Sequence, residues 1–242
     1  ARSRTLLEEL AGSLPTPCVV VNVDVTDSQA LRAALREACE GKLLGALVAA
    51  AGVEKRASAA LAVRGGTERD GTDVAVEDEW RRQLDINLRA VASTVLFSIP
   101  FFAPRCNVIL LSSVAATQFP LAGMAMYQAS KAGLSSLADG LHADLGHRGV
   151  RVTALCPSLV STSMGSSLLE ELAPAISSNA PSLPVSSVAS TIRFLASWNG
   201  TANLSNLILQ PMESISSDMR GHWKATWARG ERRRPLMEKV KR

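Results

Sequence analysis

The sequence predicts an α/β protein with a doubly wound parallel sheet, and three observations carry that prediction. Short apolar runs rich in Val and Leu alternate with stretches of helical spacing along most of the 242 residues. The runs do not alternate apolar with polar, so they suit strands buried on both faces rather than on one. Strand, helix, strand in succession then calls for right-handed crossovers, which place helices on both sides of one sheet.

Each element follows from its residues. "RTLLEELAGSL" at the start has a helical pattern, and "PCVVVNVDV" (17–25) reads as a strand. "SQALRAALREACEG" (28–41) is a helix with Ser28 as N-cap and Gly41 near its end. "LLGALVAAAG" (43–52) is the next strand. A long helix over 77–99 carries Trp80, Leu84, Leu88, Val91, Val95 and Ile99 at helical spacing. "CNVILLSS" (106–113) is a strand, 126–146 a helix stopped by Gly146, and "VRVTALCP" (150–157) another strand. A short helix (189–197) and a last strand (204–211) complete the pattern. Residues 54–78 break it as a Gly-, Arg- and Asp-rich surface excursion. Residues 160–188, rich in Ser and Pro, follow a strand's carboxyl end, where open α/β sheets bind ligands; they read as a lid.

Composition narrows the function classes. The net charge of +4 comes from the tail: residues 220–242 hold nine Lys/Arg against two Asp/Glu, and the remainder holds 17 against 20. The main body therefore offers no basic face for nucleic acid, and the tail reads as a solvated terminus after a single domain over 1–219. No uninterrupted apolar run approaches the roughly 20 residues of a membrane span. Cys18, Cys39, Cys106 and Cys156 lack CxxC spacing, and three of them lie in or beside apolar runs, as buried reduced thiols do. No residue set points to a metal. Sequons at Asn199 and Asn203 are incidental, since nothing indicates secretion, and a cytoplasmic location is expected.

"AMYQASKAGL" (125–134) carries the chemistry. Tyr127 and Lys131 are i and i+4 neighbours on one helix face. An ammonium near a phenol favours phenolate and would lower the tyrosine pKa from about 10 toward working pH. Such a phenol can give a proton to a carbonyl oxygen or take one from an alcohol. Ser112 and Ser113 end the strand "NVILLSS", and the loop that follows is long enough to bring a hydroxyl back to Tyr127. Asn87 sits mid-helix in "DINLRA", a poor place for Asn by propensity.

Ser113, "YQASK" at 127–131, "DINLRA" around Asn87 and "VRVTALCPSLVSTSM" together resemble the short-chain dehydrogenase/reductase family over residues 17–212. The resemblance implies a Rossmann-like sheet, NADP or NAD as cofactor, and interconversion of a small carbonyl compound and a secondary alcohol. Carried over by motif, Tyr127 would be the acid/base and Ser113 would hold the substrate oxygen, with Ser112 the alternative serine. Lys131 would bind the nicotinamide ribose and tune Tyr127, and Asn87 would support a water-linked proton path to that lysine. Asp24 and Val25 in "NVDVTD" would meet the adenine. Gly52 would let the backbone approach the cofactor, and Pro157, Val160 and Thr162 would lie near the nicotinamide. The family resemblance also implies a homodimer or homotetramer built through the helices 77–99 and 126–146.

The sequence departs from that family in three places. No glycine-rich phosphate loop precedes "PCVVVNVDV", so the chain is read as N-terminally truncated: a fragment, or a form that needs a partner to fill the sheet. NAD versus NADP preference goes unread with it. Ala49 and Ala50 replace two asparagines, and Ser158 replaces the glycine after Pro157, a strained position if the backbone there is left-handed. The alternative function is an inactive scaffold or regulator that has the fold without cofactor binding.

Overall fold

A computed structural model describes residues 3–58, 72–118, 123–172 and 181–212. It divides into two compact units. Among the described residues the larger comprises 3–58, 72–118, 123–158 and 184–209, and the smaller 159–172, 181–183 and 210–212. The basic tail lies outside the described residues.

The larger unit is built on four parallel strands in the order β1-β2-β3-β4. They are β1 (Leu44–Ala49), β2 (Phe102–Leu111), β3 (Arg151–Pro157) and β4 (Asn206–Leu209). The helices of this unit are α1 (Arg4–Ser13), α2 (Ser28–Ala38), α3 (Thr72–Leu84), α4 (Ala90–Ser98), α5 (Ala125–Leu145) and α7 (Val185–Ser197). α6 (Ser163–Leu172) belongs to the smaller unit, where Val160 and Leu183 form a parallel bridge.

Both faces of the sheet are covered, as unalternating strands require. Val108 and Leu110 of β2 join Val152, Ala154 and Cys156 of β3 in one apolar cluster with Val91 and Val95 of α4 and Leu134, Ala138 and Leu145 of α5. On the opposite side, Asn107 reaches α7 and its C-cap, donating to the carbonyls of Ala196 and Trp198 at 3.0 and 2.9 Å. Cys39, Cys106 and Cys156 are buried free thiols, and Cys18 is exposed. Burial pushes the Cys106 thiol up to about 11, so it stays protonated in the core.

Four sequence expectations need correction. Residues 17–24 take no strand. β1 pairs with β2 alone, and a Val-rich segment without a ladder partner cannot satisfy its backbone as a strand. The N-cap of α2 is Asp27, whose carboxylate accepts from the N–H groups of Gln29 and Ala30 at 3.0 Å each; Ser28 is the first helical residue. α5 does end where expected, at Leu145 with Gly146 as its C-cap. The chain runs on as a 3-10 turn (Gly146–Arg148) until Gly149, at φ 75°, reverses it. The long helix starts at Thr72, inside the expected excursion, and a π turn (Asp85–Arg89) separates α3 from α4. Ser158 is not strained: among the described non-glycine residues only Arg105, in a β2 irregularity, has positive φ.

The continuous helical stretch Val74–Phe101 meets the length and composition of a membrane span. Its downstream part does another job here, burying Val91 and Val95 against the sheet.

Candidate active site

The site assembles at the carboxyl ends of β1, β2 and β3, and backbone geometry explains why. In a parallel βαβ unit the helix returns antiparallel to its strands, so the N-terminal turns of α5 sit beside the strands' carboxyl ends. Tyr127 and Lys131 occupy those turns. Ser113 leaves β2 at the same end and caps a 3-10 turn (Val114–Ala116), its Oγ accepting from Ala115 N–H at 3.2 Å.

Lys131 is buried, with its Nζ donating to the Leu111 carbonyl at 2.8 Å and lying 5.7 Å from the Tyr127 ring centroid. Burial lowers its pKa to about 8, partly opposed by the Cys156 thiol, so this ammonium can release its proton near neutral pH. The Tyr127 phenol shifts upward, chiefly through burial; a hydrogen bond with Ser113 pulls it back down, and the Glu54 carboxylate adds to the rise. The sequence argument has Lys131 drawing the phenol down. In the folded chain the lysine's hydrogen bond goes to Leu111, and desolvation of the phenol dominates.

The two serines separate cleanly. Ser112 is buried and its Oγ donates to the Lys131 carbonyl at 2.8 Å, tying strand to helix. Ser113 is the one whose hydroxyl bonds the Tyr127 phenol.

Asn87 lies in the π turn, fully buried. Its Oδ1 accepts from Val53 N–H at 2.8 Å, and its Nδ2 donates to the Val53 carbonyl at 2.9 Å and to Ser130 Oγ at 3.2 Å. Ser130 Oγ in turn donates to the Tyr127 carbonyl at 2.7 Å. The amide therefore clamps the loop after β1 onto α5. Close approach depends on Gly133, where a Cβ would meet Leu88 Cδ2 at 2.8 Å. A π turn inside a helix is a recurrent mark of a functional position.

Asp24, Val25 and Gly52 come together on one cleft of about 940 Å³, which Arg81, Arg82 and Asp85 also line. Asp24 Oδ1 accepts from Thr26 N–H at 2.9 Å and from Thr26 Oγ1 at 2.7 Å, fixing the turn that shapes the cleft wall. A Cβ on Gly52 would lie 3.4 Å from Lys131 Nζ and 3.5 Å from Asn87 Oδ1, so the glycine leaves the space beside both atoms open. Pro157 ends β3. Val160 and Thr162 lie in the smaller unit, where Thr162 Oγ1 accepts from Gly165 N–H at 3.1 Å. Sequence reasoning missed Ser130, Gly133 and the Ser112 tie. For Ser130 and Gly133 the signal is only the small-residue spacing of α5, which many helices share. Among the described residues no group of three or more His, Cys, Asp or Glu could hold a metal ion.

With this geometry in place, comparison with known proteins fixes the family. The family model described as Enoyl-(Acyl carrier protein) reductase matches residues 1–203. The chain belongs to the short-chain dehydrogenase/reductase family, a family of oxidoreductases. It is 25% identical over 210 residues to serine 3-dehydrogenase of Rhizobium radiobacter, covering 85% of this chain and 80% of that one. To dehydrogenase/reductase SDR family member 4 of Oryctolagus cuniculus it is 33% identical over 99 residues, 40% of this chain. That match spans 38% of the rabbit protein's length. A short-chain dehydrogenase from Burkholderia cenocepacia, solved in complex with NADP, shares the fold at TM-score 0.67 and 22% identity, over 86% of this chain and 80% of that one.

Proposed function

We propose that this short-chain dehydrogenase/reductase interconverts a small carbonyl compound and a secondary alcohol with NADP or NAD, using Tyr127 as the acid/base. The observation that carries the reading is the phenol's setting, hydrogen-bonded to Ser113 and stacked beside a lysine whose pKa is lowered to about 8. Three features fit a dinucleotide: the open space beside Gly52, the cleft shared by Asp24, Val25 and Gly52, and the buried, unpartnered Ser158 hydroxyl. When bound, the dinucleotide supplies or accepts the hydride.

This chain's own residues do the rest. Ser113 holds the substrate oxygen against the phenol. Tyr127 gives that oxygen a proton in the reducing direction and takes it back in the oxidising one. The upward shift of the phenol keeps it protonated at neutral pH, which suits carbonyl reduction, and oxidation should gain as pH rises. Lys131 meets the ribose and passes protons near its pKa, while Asn87 holds the loop and helix in place. Pro157, in the same unit as Tyr127, belongs to the nicotinamide side. The same reading includes a cytoplasmic location, which the free cysteines support. It also includes a homodimer or homotetramer, for which the 60% exposed Leu96 on α4 offers an apolar contact.

The test pairs binding with turnover. The chain should bind NADPH or NADH, and Tyr127→Phe should keep that binding while losing about 10²–10⁴-fold in kcat. Binding absent at millimolar dinucleotide would favour the scaffold reading instead. Turnover unchanged in Tyr127→Phe would remove the tyrosine from its role.

A further inference from the structure

Ser158 is 8% exposed, and its Oγ has no hydrogen-bond partner. Burying a hydroxyl without a partner costs about 1–3 kcal/mol, so the position calls for an explanation. Packing alone does not supply one, since Ala or Gly would fill the strand end without the desolvation.

The pleat says where the hydroxyl faces. Val152, Ala154 and Cys156 of β3 point to the face covered by α5, in one cluster with Leu134, Ala138 and Leu145. Ser158 N–H donates to the Leu209 carbonyl at 2.8 Å, carrying the β3–β4 ladder one step past Pro157. Period two therefore places Ser158 on the α5 face, one step beyond Cys156. α5 runs antiparallel to β3, so successive steps up the strand move toward the helix N-terminus. Cys156 bears electrostatically on Lys131. The next step up the strand corresponds to the next turn back along the helix, the turn of Tyr127. β3 also packs against the Val114–Ala116 turn that Ser113 caps.

We propose that Ser158 is a cofactor-positioning residue whose hydroxyl pairs with the carboxamide of a nicotinamide ring held beside Tyr127. The inference rests on the oxidoreductase reading above. A ring placed for hydride transfer to a carbon whose oxygen Ser113 and Tyr127 hold would lie against this strand end. The carboxamide is the ring's polar substituent, with one acceptor and two donors, and a serine hydroxyl can serve either. Pairing it there offsets the desolvation already incurred in the free protein and fixes which face of the ring meets the substrate.

The experiment compares dinucleotides with their nicotinamide-free counterparts, using the full chain and calorimetric Kd values. Ser158→Ala and Ser158→Gly should each weaken NADH or NADPH about five- to tenfold, the loss of one neutral hydrogen bond. Binding of ADP-ribose or 2′-phospho-ADP-ribose should not change, and the thermal midpoint of the ligand-free variants should not fall. Unchanged dinucleotide affinity in Ser158→Ala overturns the inference. An equal loss for the nicotinamide-free ligands also overturns it, because the hydroxyl would then be shaping the strand end and not meeting the ring. A wild-type chain that binds none of these ligands is a different result: it overturns the oxidoreductase reading, and this inference with it.

Discussion

The strand ends around Tyr127 and the run from Arg4 to Val25 are built in opposite ways. Around Tyr127, polar atoms are tied in series: Val53 to Asn87, Asn87 to Ser130, Ser130 to the Tyr127 carbonyl, and Lys131 to both Leu111 and Ser112. In the first region α1 buries no residue, Leu6, Leu10 and Leu14 stand exposed along it, and residues 17–24 have no ladder. The contrast shows that the setting of Tyr127 and Lys131 is fixed by contacts among β1, β2, β3, α5 and the π turn. The walls of the Asp24 cleft depend on a segment held mostly by turns.

The largest stability effect expected from breaking this contrast is at Asn87. Asn87→Ala removes three hydrogen bonds and leaves both backbone groups of Val53 without these partners, so it should cost about 3 kcal/mol in chemical denaturation. A loss below about 1 kcal/mol would mean the clamp is not what orders the site.

The next effect is in pH dependence. In the native chain Lys131 releases its proton near 8, whereas the unfolded chain holds it to about 10.5. Between those values the unfolded state binds more protons, so native stability rises with pH across the window and is lost again as pH falls through about 8. Lys131→Met should flatten that slope when wild type and variant are compared from pH 7 to 10.5. Parallel curves would refute the shift.

The smallest effect belongs to the first region. Leu10, 57% exposed, should tolerate Leu10→Gln within about 0.5 kcal/mol. A larger loss would show that α1 is packed in solution and would weaken the contrast itself.

The same contrast explains what could be read from the sequence. The i, i+4 pair Tyr127–Lys131 and the strand-end serines are local features, and any helix over 125–145 with a strand before it brings them to one end. A strand over 17–25 was expected from Val content alone, but a strand exists only by its neighbour, and β1 does not pair with this segment. The role of Asn87 was half legible: its awkward mid-helix position was visible, whereas its partners Val53 and Ser130 are 34 and 43 residues away in sequence. The resemblance put Ser113 ahead of Ser112, but what Ser112 does instead needed the register, which turns it onto the Lys131 carbonyl. The N-cap error at Ser28 was a matter of one residue, decided by a carboxylate already in reach of two N–H groups.

The π turn at Asp85–Arg89 has one more consequence. It adds a residue to a helical turn, so the face that α3 presents and the face that α4 presents are offset by about 100° from those of an unbroken helix. The segment therefore works as a phase coupler. α3 can aim Gln83 and Trp80 at the loop carbonyls of Lys55 and Ala57, while α4 aims Val91 and Val95 into the sheet. Deleting a single residue there would put the two faces back in phase and leave one of them without its partner, although every side chain outside the turn stayed the same.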